Sequence, residues 1–560
     1  MFQSTSNSPS LDFTDGTKTP RTRSEKNAAA IFLLLLLLSL VCTWTSYGNC
    51  CRIGFTLDEF THLPYLYQIC NGHPDVLFAK LCTPFSNYKI DGLQAYRPLM
   101  VLSYALDYMV WGTNSFFWHV HNIILFAGVA FASGVFSYYL LDHLCLSQRS
   151  VCIGAILATL LMALYPGHID SVVTIAGRND LLALLFYLLA LCFYVQYKKN
   201  GNLLWRWISV SGFTLGLCSK EIAATLPLVL ILAELLSVFG SSEENLLQQS
   251  MENSEQLKCA TVKAFTSKLA SAFRITTPYW IALFLFTAVR AMILHSLIGG
   301  YGRMGFHAML RQMLGFLDVD TFRRLVLPIN EHFLLPQNFV FFLSLLYIVP
   351  IFRLIVKCVS SPAITRMVAF IALFGVLNVL PAFQIWHIYP NLVGCRLFIV
   401  SSFALAFLLS LVLIPDSKNR IVNVVCMGNA IALVVSWSVV LANNVQPFIR
   451  SGQLMQCFRS QLVHLIEELP PDRKLIVTNL PQDYCGAPML GKAVSLIPNL
   501  KPPLTKTDLT NRVIVLENGR FIDLSKGDMG EAVKAEKVFP IYVWSNESAT
   551  FTTSGAMNSK

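Results

Sequence analysis

Two adjacent carboxylates, Asp58 and Glu59, follow the first long apolar run, and the cations Arg97, Arg178, Lys220, Arg290 and Arg396 recur near or within later ones. Consecutive carboxylates suit a general base with a neighbour that tunes it or binds hydroxyls. The same pair also complements a helix N-terminus. In Tyr96-Arg97-Pro98-Leu99, Pro98 suits a first helical turn, and Arg97 can face a phosphate or snorkel to lipid headgroups. His168 and Asp170 lie in Pro166-Gly167-His168-Ile169-Asp170, closely followed by Gly177-Arg178-Asn179-Asp180. On one continuous helix Asp170, Thr174, Gly177 and Arg178 would share a face. Asn179 and Asp180 can instead cap the apolar helix beginning at Leu181. Lys220 and Glu221 are neighbours at a turn, and neighbouring helix positions do not face each other. Ionisable groups at such depth are costly without a partner or a task.

The elements that must position these groups are membrane helices. Of 560 residues, 54% are hydrophobic and 13% charged, against about 25% charged in soluble domains. That excludes disorder, a coiled coil or a soluble enzyme as a description of the whole. The net charge of +10 needs no nucleic-acid partner, because cytoplasmic loops of membrane proteins gather Lys and Arg. Apolar runs at 28–46, 118–141, 151–165, 171–197, 205–218, 222–239, 278–298, 337–356, 367–386, 396–414 and 421–443 predict about eleven spans. The basic bias predicts a cytoplasmic N-terminus and an outer C-terminal region. Ala28–Val41 lacks a following small-x-small site and reads as a retained anchor.

The expected architecture is an all-α polytopic membrane protein with a small C-terminal domain containing α and β or mainly β structure. Residues 1–27 form a disordered cytoplasmic tail, 28–443 the transmembrane domain with outer loop 47–117, and 445–560 an outer domain. The polar stretch 240–275 reads as a cytoplasmic loop, and Phe306–Leu314 as a helix lying on the bilayer surface. Lys474–Thr478 and Arg512–Leu516 read as strands, with a turn at Glu517-Asn518-Gly519-Arg520. Cys50, Cys51, Cys70, Cys82, Cys457 and Cys485 lie in outer segments, where an oxidising compartment permits disulfides of unspecified pairing. No cysteine spacing fits zinc, and neither a metal site nor a cofactor is implied.

Cations beside a carboxylate pair at interface depth fit one chemistry, that of a lipid-linked phosphosugar. The cations hold the phosphate as it leaves, while a carboxylate takes the proton of an attacking hydroxyl.

Several of these motifs also carry a family resemblance. Leu57-Asp58-Glu59, Tyr96-Arg97-Pro98-Leu99, Leu106-Asp107-Tyr108, Trp111-Gly112-Thr113-Asn114 and His119-Val120-His121-Asn122 occur in order. Tyr165–Val172, Gly177–Leu182 and Cys218-Ser219-Lys220-Glu221 follow, with Arg396 a weaker match. As a set, these resemble the GT-C glycosyltransferases, nearest the transmembrane and tetratricopeptide-repeat protein O-mannosyltransferases, though the repeats are absent. The resemblance implies a hexosyltransferase using a polyprenyl-phosphate donor, dolichyl or undecaprenyl, on the lumenal or periplasmic face, with inversion. It implies a bacterial inner or endoplasmic reticulum membrane, and a protein, glycan or lipid acceptor. Asp58 is implied as base beside Glu59, with Arg97, His168, Asp170, Arg178, Asp180, Lys220, Glu221 and Arg396 on the donor.

Two other readings compete. A transporter or flippase of a lipid-linked substrate would place charges at mid-span in matching halves, whereas here they sit at outer ends. A non-catalytic relative would have no need of both Asp58 and Glu59.

Overall fold

A computed structural model describes residues 23–85, 95–239, 257–295, 319–333, 335–379, 387–518, 520–526 and 540–553. The expected tail before Arg23, most of the polar loop before Leu257, the surface helix Phe306–Leu314 and Gly519 of the expected turn lie outside the described residues.

Every apolar run named above meets a helix. Among the described residues seven helices are long and apolar enough to cross a membrane, or eight if the bent pair Gln148–Leu164 and Pro166–Val173 is one span. The protein is therefore a multi-pass membrane protein. The other expected spans meet shorter helices among the described residues. Leu203–Ser219, Leu226–Leu235 and Pro362–Leu377 have 17, 10 and 16 residues, or roughly 26, 15 and 24 Å at 1.5 Å per residue. A hydrocarbon core of about 30 Å exceeds each of them.

Polar side chains begin several of these helices by accepting the orphan N–H groups of the first turn. Asn114, Ser147, Asn202, Ser361 and Asn419 all do so. Where helices cross, small residues let backbones approach. A methyl added at Gly134 would strike Thr159 and Leu35, from two neighbouring helices. Faces away from the bundle stay apolar, as with Leu33, Leu37 and Val41 or Phe284, Leu285 and Met292, which suits a hydrocarbon solvent.

Ion pairs mark both ends of the bundle. At one, Lys198 Nζ meets Glu234 at 2.9 Å, Lys199 Nζ meets Asp142 at 2.8 Å, and Asp416 is shared by Arg353 and Lys357. The other end holds all the candidate site residues.

The last helix, Arg420–Glu468, has 49 residues, about 74 Å, and so runs well beyond any bilayer. It leads into a five-stranded sheet of order β5-β4-β1-β6-β7. Its strands are β1 (Leu475–Thr478), β4 (Val513–Glu517), β5 (Arg520–Asp523), β6 (Ile541–Ser545) and β7 (Thr550–Thr553). β1 pairs in parallel with β4 and β6, and hairpins add β5 and β7 at the edges. A separate hairpin joins β2 (Asp483–Tyr484) to β3 (Ala487–Pro488).

The sheet does not pack alone. One apolar core unites Val477, Val515 and Trp544 of the sheet with Leu454, Phe458 and Leu462 of the last helix. Phe55, Phe60, Leu63 and Leu66, from the segment after the first helix, belong to the same core. The first loop and the C-terminal region are thus one packed layer over one end of the bundle. No disulfide joins Cys50, Cys51, Cys70, Cys82, Cys457 or Cys485.

Candidate active site

Asp58 and Glu59 lie in a short 3-10 helix, Leu57–His62. The side chain of Asp58 lies outside the described ones. Glu59 is buried, at 4% exposure. One carboxylate oxygen accepts the Thr56 N–H at 2.6 Å, closing a capping box. The other accepts the Ile175 N–H at 2.6 Å, across to the turn that precedes the helix Arg178–Asn200. Both its oxygens thus hold backbone. What it does is fix the Asp58 backbone against a second element.

Beside it, burial and then the charge of Lys80 push His62 down to about 3. The ring therefore stays neutral near pH 7, packed against Phe85 and Tyr104.

Arg178 is fully buried. Its Nη2 lies 2.6 Å from Asp107 Oδ2, its Nε donates to Asn122 Oδ1 at 2.8 Å, and Nη1 and Nη2 donate to Ser103 Oγ and the Trp118 carbonyl. The rings of Tyr104 and Trp118 flank the guanidinium at 5.1 and 5.6 Å. With its donors so used, Arg178 is a buried tie between three helices. The continuous helical face expected from Asp170 to Arg178 is corrected. Thr174 is extended, and its hydroxyl caps a separate 3-10 turn at Ile175–Gly177. Asp180 is no cap either, for it pairs with Lys220 in a buried contact. Lys220 Nζ reaches Asp180 Oδ1, while Asp180 Oδ2 is buried with no hydrogen-bond partner among the described residues.

His168 is buried between the rings of Phe126 and Tyr165, with Nε2 2.7 Å from Ser402 Oγ.

The remaining candidates keep access to solvent. Glu221, 30% exposed, lies between Arg97 Nη2 at 3.3 Å and Arg290 Nη2 at 3.9 Å. Arg396 Nε, 30% exposed, lies 3.5 Å from Asp170 Oδ2. Here the exposed members are the Glu221 carboxylate and the Arg396 guanidinium, whereas Arg97 and Arg290 are nearly as buried as Lys220. Among the described residues no group of three His, Cys, Asp or Glu is placed to hold a metal ion.

Asp107, His121 and Asn122 matter more than the sequence suggested. Asp107 Oδ1 takes His121 Nδ1 at 2.7 Å while Oδ2 takes Arg178, and Asn122 bridges Arg178 to the Thr174 carbonyl at 2.9 Å. The available signal was a lone aspartate inside the apolar run Pro98–Trp111, where a buried charge requires a counter-charge.

No family model matches the chain. Protein O-mannosyl-transferase TMTC1 of Mus musculus is 37% identical to it over 108 residues, 19% of this chain and 11% of that protein. Protein O-mannosyl-transferase tmtc2 of Xenopus laevis is 33% identical over 123 residues, 21% and 14% of the two chains. Over such stretches the chain is similar to protein O-mannosyltransferases. Protein O-mannosyl-transferase TMTC3 of Homo sapiens extends the likeness to 185 residues at 28% identity, 31% of this chain and 19% of that protein. The matched stretches thus span less than a fifth of these curated relatives. Among solved structures, ArnT from Cupriavidus metallidurans bound to undecaprenyl phosphate aligns over 93% of this chain and 94% of its own, at 10% identity and a TM-score of 0.37.

Proposed function

We propose that the protein is an integral-membrane GT-C glycosyltransferase. It moves a hexose, mannose by analogy with the O-mannosyltransferases it resembles, from a polyprenyl-phosphate carrier to an acceptor hydroxyl at the exoplasmic face. The observation that supports this most directly is the pair of hydrogen bonds that Glu59 accepts. It fastens the Asp58 backbone to the Ile175 turn, at the bundle end that also holds Arg97, Arg290 and Arg396.

The chemistry runs as follows. The Asp58 carboxylate takes the proton of the acceptor hydroxyl, and that oxygen forms a bond to the anomeric carbon. The bond from that carbon to the phosphate oxygen breaks, its electron pair stays with the phosphate, and the configuration inverts. Arg97, Arg290 and Arg396 stabilise the charge gathering on the leaving phosphate. Glu221 and Asp170 hold these cations in place until the donor arrives. Attack on a lipid carrier explains why the cations sit at the end of membrane helices, where a headgroup can arrive laterally. The acceptor is a hydroxyl on protein, glycan or lipid.

The test is Asp58→Asn in membranes carrying the full chain, supplied with dolichyl phosphate mannose labelled in the sugar. Label transfer to acid-insoluble material should vanish while the variant accumulates at the normal level. Transfer at the normal rate removes Asp58 as base.

A further inference from the structure

We propose that the C-terminal region is a positioning clamp for the base: its segment Pro481–Gly491 sets the backbone turn at Leu57 that aims Asp58. The inference rests on the reading of Asp58 above and gives the C-terminal domain a purpose in the same reaction.

The evidence begins at Leu57. The chain arrives extended at Thr56, with φ −133° and ψ 156°, and must turn into the helix that carries Asp58. It does so through Leu57 at φ +34°, a left-handed value that a branched residue adopts only when its surroundings impose it. Those surroundings come from the far end of the sequence. The Leu57 N–H donates to the Met489 carbonyl at 2.7 Å. The Leu57 side chain lies over Gly491, where a Cβ would come within 3.0 Å of Leu57 Cδ1. Gly491 is itself left-handed, at φ +76°, so the position favours glycine twice over, for space and for conformation.

The clamp is anchored rather than floating. The Met489 and Leu490 N–H groups donate to the Gln482 and Pro481 carbonyls, both at 3.0 Å, and both side chains are fully buried. Ser451 of the last helix donates to the Pro488 carbonyl at 2.7 Å. Asn330 Nδ2 donates to the Cys485 carbonyl at 2.9 Å. From the other side Gln456 packs on Gly54, two residues before Thr56. The strained turn is thus gripped by the C-terminal region on one flank and by Glu59, through its bond to Thr56, on the other.

The test compares donor kinetics of the full chain in membranes, with labelled dolichyl phosphate mannose, alongside its thermal unfolding. Gly491→Ala adds a methyl against Leu57 and should lower kcat by about ten- to a hundredfold, with donor KM unchanged. A wild-type kcat in Gly491→Ala overturns the clamp. Should Gly491→Ala fail to fold, Leu57→Gly decides the matter, since glycine accepts φ +34° but gives the clamp no side chain to grip. It should unfold at the normal temperature with reduced kcat and normal KM, and a normal kcat overturns the proposal. Asp58→Asn run beside them separates the two ideas. Full transfer in that variant removes the base itself, whereas its inactivity beside a normal Leu57→Gly removes only the clamp.

Discussion

Asp107 and Arg178, 71 positions apart in the chain, meet at 2.6 Å with both side chains almost wholly buried. Removing one partner leaves the other charge buried and alone, which costs about 3–5 kcal/mol. Asp107→Leu should therefore lower the unfolding temperature sharply, seen by thermal unfolding of detergent-solubilised protein. Because replacing both members of such a pair with apolar groups is often neutral, Asp107→Leu/Arg178→Met should recover most of the loss. Normal unfolding in the single variant would show that the pair bears no load.

Glu59 gives a second, independent check. Its two oxygens accept the Thr56 and Ile175 N–H groups. Glu59→Gln keeps the shape but turns an amide N–H₂ toward one of those donors. A buried donor left without an acceptor costs about 1–3 kcal/mol. Because the loosened element carries Asp58, kcat should fall along with stability, whereas Glu59→Asp, too short to reach both donors, should behave no better. A stable Glu59→Gln with full transfer would detach Glu59 from the positioning of Asp58.

Most of the helical architecture was legible in the sequence. Runs such as Ile31–Val41 or Ile399–Leu413 leave no alternative in water-free surroundings, where only internally bonded backbone survives. The wet end was harder. Asp58 and Arg178 look equally available on paper, yet Arg178 is buried and paired with Asp107, far off in sequence. Nothing local at Arg178 reveals that. Lys220 and Glu221 are adjacent but serve Asp180 and Arg97 respectively, because their side chains leave the chain in different directions. In the C-terminal domain, β1 and β4 show as Val- and Ile-rich runs. β7 is Thr550-Phe551-Thr552-Thr553, too polar to announce a strand, and forms because β6 and the last helix hold it.

In the C-terminal domain, acid should act through Asp523. Burial raises its pKa, but the bonds from Lys474 at 2.7 Å and from Ser525 outweigh this and leave it lowered. A carboxylate lowered on folding stabilises above its unfolded value, and that contribution is lost as pH falls through the folded one. Unfolding of the full chain, followed by the buried Trp544, should thus lose stability below about pH 4. Asp523→Asn should be weaker at neutral pH and decline less on acidification. A wild-type slope in that variant would clear Asp523 of the effect.

The outer edge of β7 is closed by one side chain of the last helix. Gln461 Nε2 donates to the Ala549 carbonyl at 2.9 Å while its Oε1 accepts the Phe551 N–H at 3.2 Å, so the amide takes the place of a neighbouring strand. Open edges of this kind invite pairing with another chain. Gln461→Ala frees one donor and one acceptor that water can reach, so the loss in stability should stay near 1 kcal/mol. The larger effect should be self-association, growing with protein concentration and visible by size-exclusion chromatography. Gln461→Glu keeps an acceptor for Phe551 but sets a carboxylate against the Ala549 carbonyl, and its charge should oppose association while still lowering stability. Monodisperse Gln461→Ala at high concentration would mean that the edge is guarded by something other than this amide.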